Sequence, residues 1–196
     1  MVIKIYNKTI LAPVKCGSRY LDKIWIKQRI ELNHSQYLRF PKVKYIVLRE
    51  PMSHLVTALH TETLGYMNEF GKMGDFYHQL NEFTTSVGSV HWCFPFYEYL
   101  YYYRNRYGED IQVVKLENLT ELLQDFGHNI EYVSEEYNFK KYKKWWPKEE
   151  LFQILNEMYP KEINFLIDKV KIQTEYYKKL INNEINSNLL GEKIML

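Results

Sequence analysis

The sequence predicts a three-layer α/β domain, a central and mainly parallel sheet flanked by helices, and three observations carry that prediction. Short apolar runs rich in β-branched residues alternate with stretches whose apolar residues recur at helical spacing. Two of the strand-to-helix junctions carry residues suited to them, Gly17 in a tight loop and Pro51 in a first helical turn. At 196 residues, with 46% hydrophobic and 26% charged side chains, the chain is large enough to bury a core without disulfides or structural metal. Alternation of this kind implies right-handed crossovers and puts ligands at the carboxyl ends of the strands.

In chain order, residues 8 to 12 read as a strand that runs into Pro13-Val14-Lys15-Cys16-Gly17-Ser18-Arg19, after which Tyr20, Leu21, Ile24 and Trp25 open a helix. Residues 29 to 33 allow a second strand, and Val43 to Leu48 is a stronger one, apolar and β-branched. Met52, Leu55, Val56 and Leu59 then keep helical spacing behind Pro51. From Thr61 to Ser89 the periodicity is mixed and four glycines intervene, which predicts helical pieces joined by loops. Phe94, Tyr97, Tyr101 and Arg104 predict an aromatic helix, residues 111 to 116 a buried strand, and residues 117 to 126 a short helix. Two helical stripes follow, Leu151 to Met158 and Ile163 to Val170, parted by Pro160. The whole, residues 1–196, reads as one domain, with residues 1–7 and about 185–196 peripheral to it.

A net charge of +2 is too small for a surface that coats nucleic acid or adheres to membranes, so any anion site has to be local. No RNA-binding, KH or zinc-finger signature is present. Cys16 and Cys93, without CxxC spacing or a Cys/His cluster, predict free thiols in a reducing compartment and no metal site. The first residues lack the apolar core of a secretory signal, and no apolar run reaches membrane-spanning length, which predicts a cytoplasmic setting.

The first junction has what an anion needs: a tight loop around Gly17, successive backbone N–H groups at a helix start, the Lys15 cation and the Ser18 hydroxyl. A Walker A sequence is absent. The segment from Pro13 through Tyr20 resembles the 5′-phosphosulfate loop of the sulfotransferase superfamily, P-K-x-G-[ST]-[ST]-x, with Val14 inserted before the lysine and Arg19 in place of a second hydroxyl. Lys44-Tyr45-Ile46-Val47-Leu48-Arg49-Glu50-Pro51 resembles the same family's 3′-phosphate element, a strand ending in R-[DN]-P with a hydroxyl eight residues after the arginine, here Thr57. Val113 to Leu119 is similar to the later strand that ends in an E-[DN]-L segment, and Pro147 to Asp168 to the closing helices.

This resemblance implies a P-loop-like fold that binds 3′-phosphoadenosine 5′-phosphosulfate, releases 3′-phosphoadenosine 5′-phosphate, and needs no metal. It implies cofactor contacts at Lys15, Cys16, Gly17, Ser18, Arg19, Tyr20, Arg49 and Thr57, with Lys15 also catalytic at the leaving phosphate. The acceptor's base falls to His34, which follows the second strand as the family's histidine does; His91, beside Trp92, is the rival, and Glu31 or Glu62 would serve in a carboxylate-using relative. The partner implied is a hydroxyl-bearing acceptor, a carbohydrate or a small molecule. Aromatic residues from Phe96 to Tyr103 and the basic run Lys140 to Trp146 are either acceptor surfaces or ordinary helix packing and a solvated turn. Two other classes remain open: a catalytically silent nucleotide- or glycan-binding protein of this fold, and a small-molecule kinase with an unusual phosphate loop.

Overall fold

The computed structural model describes residues 2–5, 8–13, 16–17, 21, 29–30, 43–70, 97–107, 111–127 and 146–184; at residues 2–5, 29–30, 65–70, 99, 106 and 107 the backbone alone is described. The chain divides into two compact units, one made of Met1–Glu50, Phe96–Val133 and Thr174–Leu196, the other of Pro51–Pro95 and Ser134–Gln173.

The first unit is α/β. Its strands are β1 (Val2–Ile5), β2 (Lys8–Leu11), β3 (Arg29–Ile30), β4 (Tyr45–Leu48) and β5 (Gln112–Lys115), in the sheet order β3-β1-β2-β4-β5. β2, β4 and β5 form the parallel part, in which Ile10 lies beside Tyr45 and Ile46 beside Val113. β1 is antiparallel to both β2 and β3. The sequence does not announce β1, and residues read as peripheral lie inside the sheet. Ile5 pairs with Lys8 across a two-residue connection, and so short a link permits an antiparallel return but no parallel crossover.

Strand alternation sends side chains to both faces, and both faces are covered, as a parallel sheet requires. Ile10, Tyr45 and Val47 pack with Leu119, Leu123 and Phe126 of the segment after β5. Leu11, Ile46 and Leu48 pack instead with Tyr97, Leu100 and Leu180. The first partners come from helix α3 (Leu119–Asp125), which follows a 3₁₀ turn (Leu116–Asn118), and from Phe126 at its end; the second come from α2 (Tyr97–Tyr107) and the final turns of α5 (Pro160–Ile181). All four β4 residues are buried, each aliphatic worth about 1.5–3 kcal/mol relative to exposure, which explains why the Val43 to Leu48 run is so readable.

α5 ends in a Schellman motif. Asn183, at φ +58°, donates its N–H to the Leu180 carbonyl at 3.2 Å, and the Glu184 N–H reaches the Lys179 carbonyl at 2.9 Å. The Asn183 side chain accepts a hydrogen bond from Arg104 Nη2 at 3.1 Å. Arg104 is buried, which lowers its pKa, and among the described residues its Nε and Nη1 have no acceptor.

The second unit, among its described residues, is helical: α1 (Pro51–Phe70), α4 (Lys148–Met158) and the first part of α5. Leu55 and Leu59 of α1, Leu151 and Leu155 of α4, and Ile163 and Leu166 of α5 share one core. His60 Nε2 lies 2.7 Å from the Trp146 carbonyl, an oxygen that only accepts, so that nitrogen carries the proton. α1 continues through Gly65 to Phe70, where the sequence predicts broken pieces. One glycine costs a helix about 1 kcal/mol, less than the burial of Leu59 and Leu64 returns. As expected, Pro160 starts a new helix after α4 ends at Met158. No helix among the described residues is long and apolar enough to cross a membrane.

Candidate functional site

Because β2 and β4 are parallel neighbours, the loops that leave their carboxyl ends lie side by side in the first unit. After β2, the Cys16 N–H closes a turn on the Pro13 carbonyl at 3.0 Å. Gly17 follows at φ +77°, a conformation that side chains with a Cβ rarely adopt. The Leu21 N–H donates to the Gly17 carbonyl at 3.0 Å, a bond with the four-residue spacing of an α-helix. The described residues show the predicted strand and a tight turn at Gly17, while most of the predicted helix that follows lies outside the described residues.

Arg49 follows β4 and meets this loop. The Cys16 thiol is fully buried; burial pushes its pKa up to about 11, against the opposing influence of the Arg49 charge, the Arg49 backbone N–H and the Tyr97 hydroxyl. A thiol held so far above neutrality stays protonated at neutral pH, and its neighbours are Arg49 and Tyr97. From α2, the Tyr97 hydroxyl donates to the Arg49 carbonyl. Burial, followed by the proximity of Cys16 and Tyr177, raises Tyr97 well above the usual phenol range.

Tyr177 packs at a tilt against Tyr97, with ring centroids 5.4 Å apart and planes inclined by 59°. Burial and the nearby carboxylates Glu117 and Glu50 push it up to about 12. The segments that follow β2, β4 and β5 thus gather around two buried or half-buried phenols. Arg49 Nη1 is buried and, among the described residues, has no acceptor.

Of the expected site residues, the structure brings together Cys16, Gly17 and Arg49. Thr57 belongs to the second unit, half-buried on α1, where its carbonyl accepts the Thr61 hydroxyl at 2.8 Å. Glu62 is half-buried on the same helix. Lys15, Ser18, Arg19, Tyr20, Glu31, His34 and His91 lie outside the described residues. The sequence offers Tyr97 only within the Phe96 to Tyr103 run, as acceptor surface or helix packing, and does not single out Tyr177 at all. Among the described residues no group of three or more His, Cys, Asp or Glu side chains is placed to hold a metal.

No family model, no curated protein and no solved structure matches this chain. The sulfotransferase resemblance therefore rests on the motif residues of the sequence alone.

Proposed function

We propose that the chain binds 3′-phosphoadenosine 5′-phosphosulfate and transfers its sulfuryl group to a hydroxyl acceptor. The observation that supports this best is the side-by-side placement of the Gly17 turn and Arg49, whose buried Nη1 has no acceptor among the described residues. A guanidinium donor left without a partner suits a terminal phosphate, which it binds through charge-assisted hydrogen bonds.

In this reading the amides from Gly17 to Arg19 hold the 5′ end, while Arg49 holds the 3′-phosphate. The acceptor oxygen forms the new bond to sulfur as the bond from sulfur to the bridging phosphate oxygen breaks. His34, with His91 as the rival, takes the acceptor's proton, and Lys15 offsets the charge that develops on the leaving phosphate. The products are a sulfate ester and 3′-phosphoadenosine 5′-phosphate. The acceptor class is a carbohydrate or small molecule, and the setting the cytoplasm.

Calorimetric titration with 3′-phosphoadenosine 5′-phosphate, AMP, ADP and Mg-ATP tests this. Binding that depends on the 3′-phosphate supports the reading, and sulfuryl transfer to hydroxyl acceptors then separates an enzyme from a silent binding protein. Preference for Mg-ATP overturns it in favour of a kinase.

A further inference from the structure

We propose that the outer edge of β5 is a docking site where a basic, extended segment of a protein partner adds to the sheet as a further strand. This inference does not rest on the sulfotransferase reading.

β5 ends the order of described strands. The Gln112 N–H donates to the Lys44 carbonyl at 2.9 Å, so Gln112 turns its backbone groups toward β4. The N–H and C=O of one strand residue point the same way, and the direction alternates along the strand. Val114 therefore also faces β4, while the Val113 amide and carbonyl and the Lys115 amide face outward. An open groove of about 470 Å3 runs here, lined by all four β5 residues. Consecutive strand residues present opposite faces, so a groove that touches all four follows the edge and not a face.

The opposite wall is acidic. Glu117 in the 3₁₀ turn and Glu121 and Asp125 on α3 line the groove at four-residue spacing, all three exposed. No ion pair engages them among the described residues, and Lys115 is the one cation in the lining. Like charges at this spacing are mildly destabilising on a helix, and an unpaired strand edge is a template for pairing. An extended segment with Lys or Arg at alternate positions answers both: its backbone pairs with Val113 and Lys115 while its cations meet the carboxylates. A second copy is a poor occupant, since edge-to-edge pairing of two β5 strands sets these carboxylates against each other. Nucleic acid is repelled by the same charge.

The test is fluorescence anisotropy of the full chain with a labelled peptide of alternating Lys and Val. Saturable binding is expected. It should weaken about tenfold when Glu121→Lys and Asp125→Lys are combined, and by at least as much when the peptide is N-methylated at every second residue, which keeps its charge but removes its edge donors. Both substituted positions are exposed, and far-UV circular dichroism checks that the variant remains folded. Absence of saturable binding, equal affinity for the N-methylated peptide, or indifference to the charge reversal overturns the proposal. Concentration-dependent self-association with no peptide binding overturns it in favour of a second copy.

Discussion

Replacing Arg49 by Met separates the roles of its backbone and its side chain. The backbone carbonyl accepts the Tyr97 hydroxyl and the backbone N–H faces the Cys16 sulfur, so the contacts that fix the loop survive the substitution. The side chain carries a buried donor at Nη1 with no acceptor among the described residues, a desolvated group whose removal relieves a cost. In the free protein the thermal midpoint is therefore expected to hold or rise. With nucleotide the sign reverses: losing hydrogen bonds between a cation and a phosphate costs about 1–3 kcal/mol, roughly a 5- to 150-fold rise in Kd. Calorimetry with 3′-phosphoadenosine 5′-phosphate and with AMP, on wild type and variant, reads this directly. Wild type should prefer the 3′-phosphorylated ligand and Arg49→Met should bind the two alike. A variant that keeps the full preference refutes the assignment of Arg49 to the 3′-phosphate.

Other perturbations probe the parts around it. Tyr97→Phe leaves the Arg49 carbonyl without its side-chain donor beside a buried ring and should lower stability in urea by about 1–3 kcal/mol. Asn183→Gly sets two effects against each other: glycine relieves the φ +58° backbone by up to about 1 kcal/mol, but buried Arg104 loses its hydrogen bond, worth about 1.5–3 kcal/mol. Net destabilisation in chemical denaturation is expected, opposite to the usual result at a helix C-terminus. The Cys16 thiol is neutral in both folded and unfolded chains below about pH 9, and only the unfolded chain ionises between there and about pH 11. Its contribution to stability is thus constant at neutrality and falls by about 1.4 kcal/mol per pH unit in that window. Unfolding titrations across pH 8 to 11 in wild type and Cys16→Ala check it: the variant's slope should be shallower by about 1.4 kcal/mol per pH unit, the remainder coming from the raised Tyr97 and Tyr177 phenols. Lys15→Ala should reduce sulfuryl transfer far more than nucleotide affinity, measured by turnover and calorimetry together.

What the sequence discloses depends on how strongly one physical signal dominates. Residues 43 to 48 are legible because every β4 side chain is buried on one face or the other, leaving a continuous apolar run. Pro51 and Pro160 mark their helix starts through a fixed φ and a missing N–H. β1 was hidden because Tyr6-Asn7 lacks the glycine that usually betrays a two-residue hairpin, so Val2 to Leu11 carries no visible break. The length of α1 was hidden by Gly65, whose cost is repaid by packing that only the tertiary structure supplies. At the site, Gly17 and Arg49 were legible as motif residues. Tyr97 and Tyr177 were not, because a phenol that bonds a distant carbonyl and one that packs a helix have the same spacing in sequence.

The antiparallel half of the sheet also sets a timetable for biosynthesis. β1 and β2 pair across two residues, a local event on the microsecond scale, and both precede the other strands in the chain. The other side of β2 has no strand to receive until Tyr45–Leu48 is made, and β4 in turn waits for Gln112–Lys115. A nascent chain therefore carries a finished hairpin with an open, apolar flank at Ile10 and Leu11 for as long as translation takes to cover it.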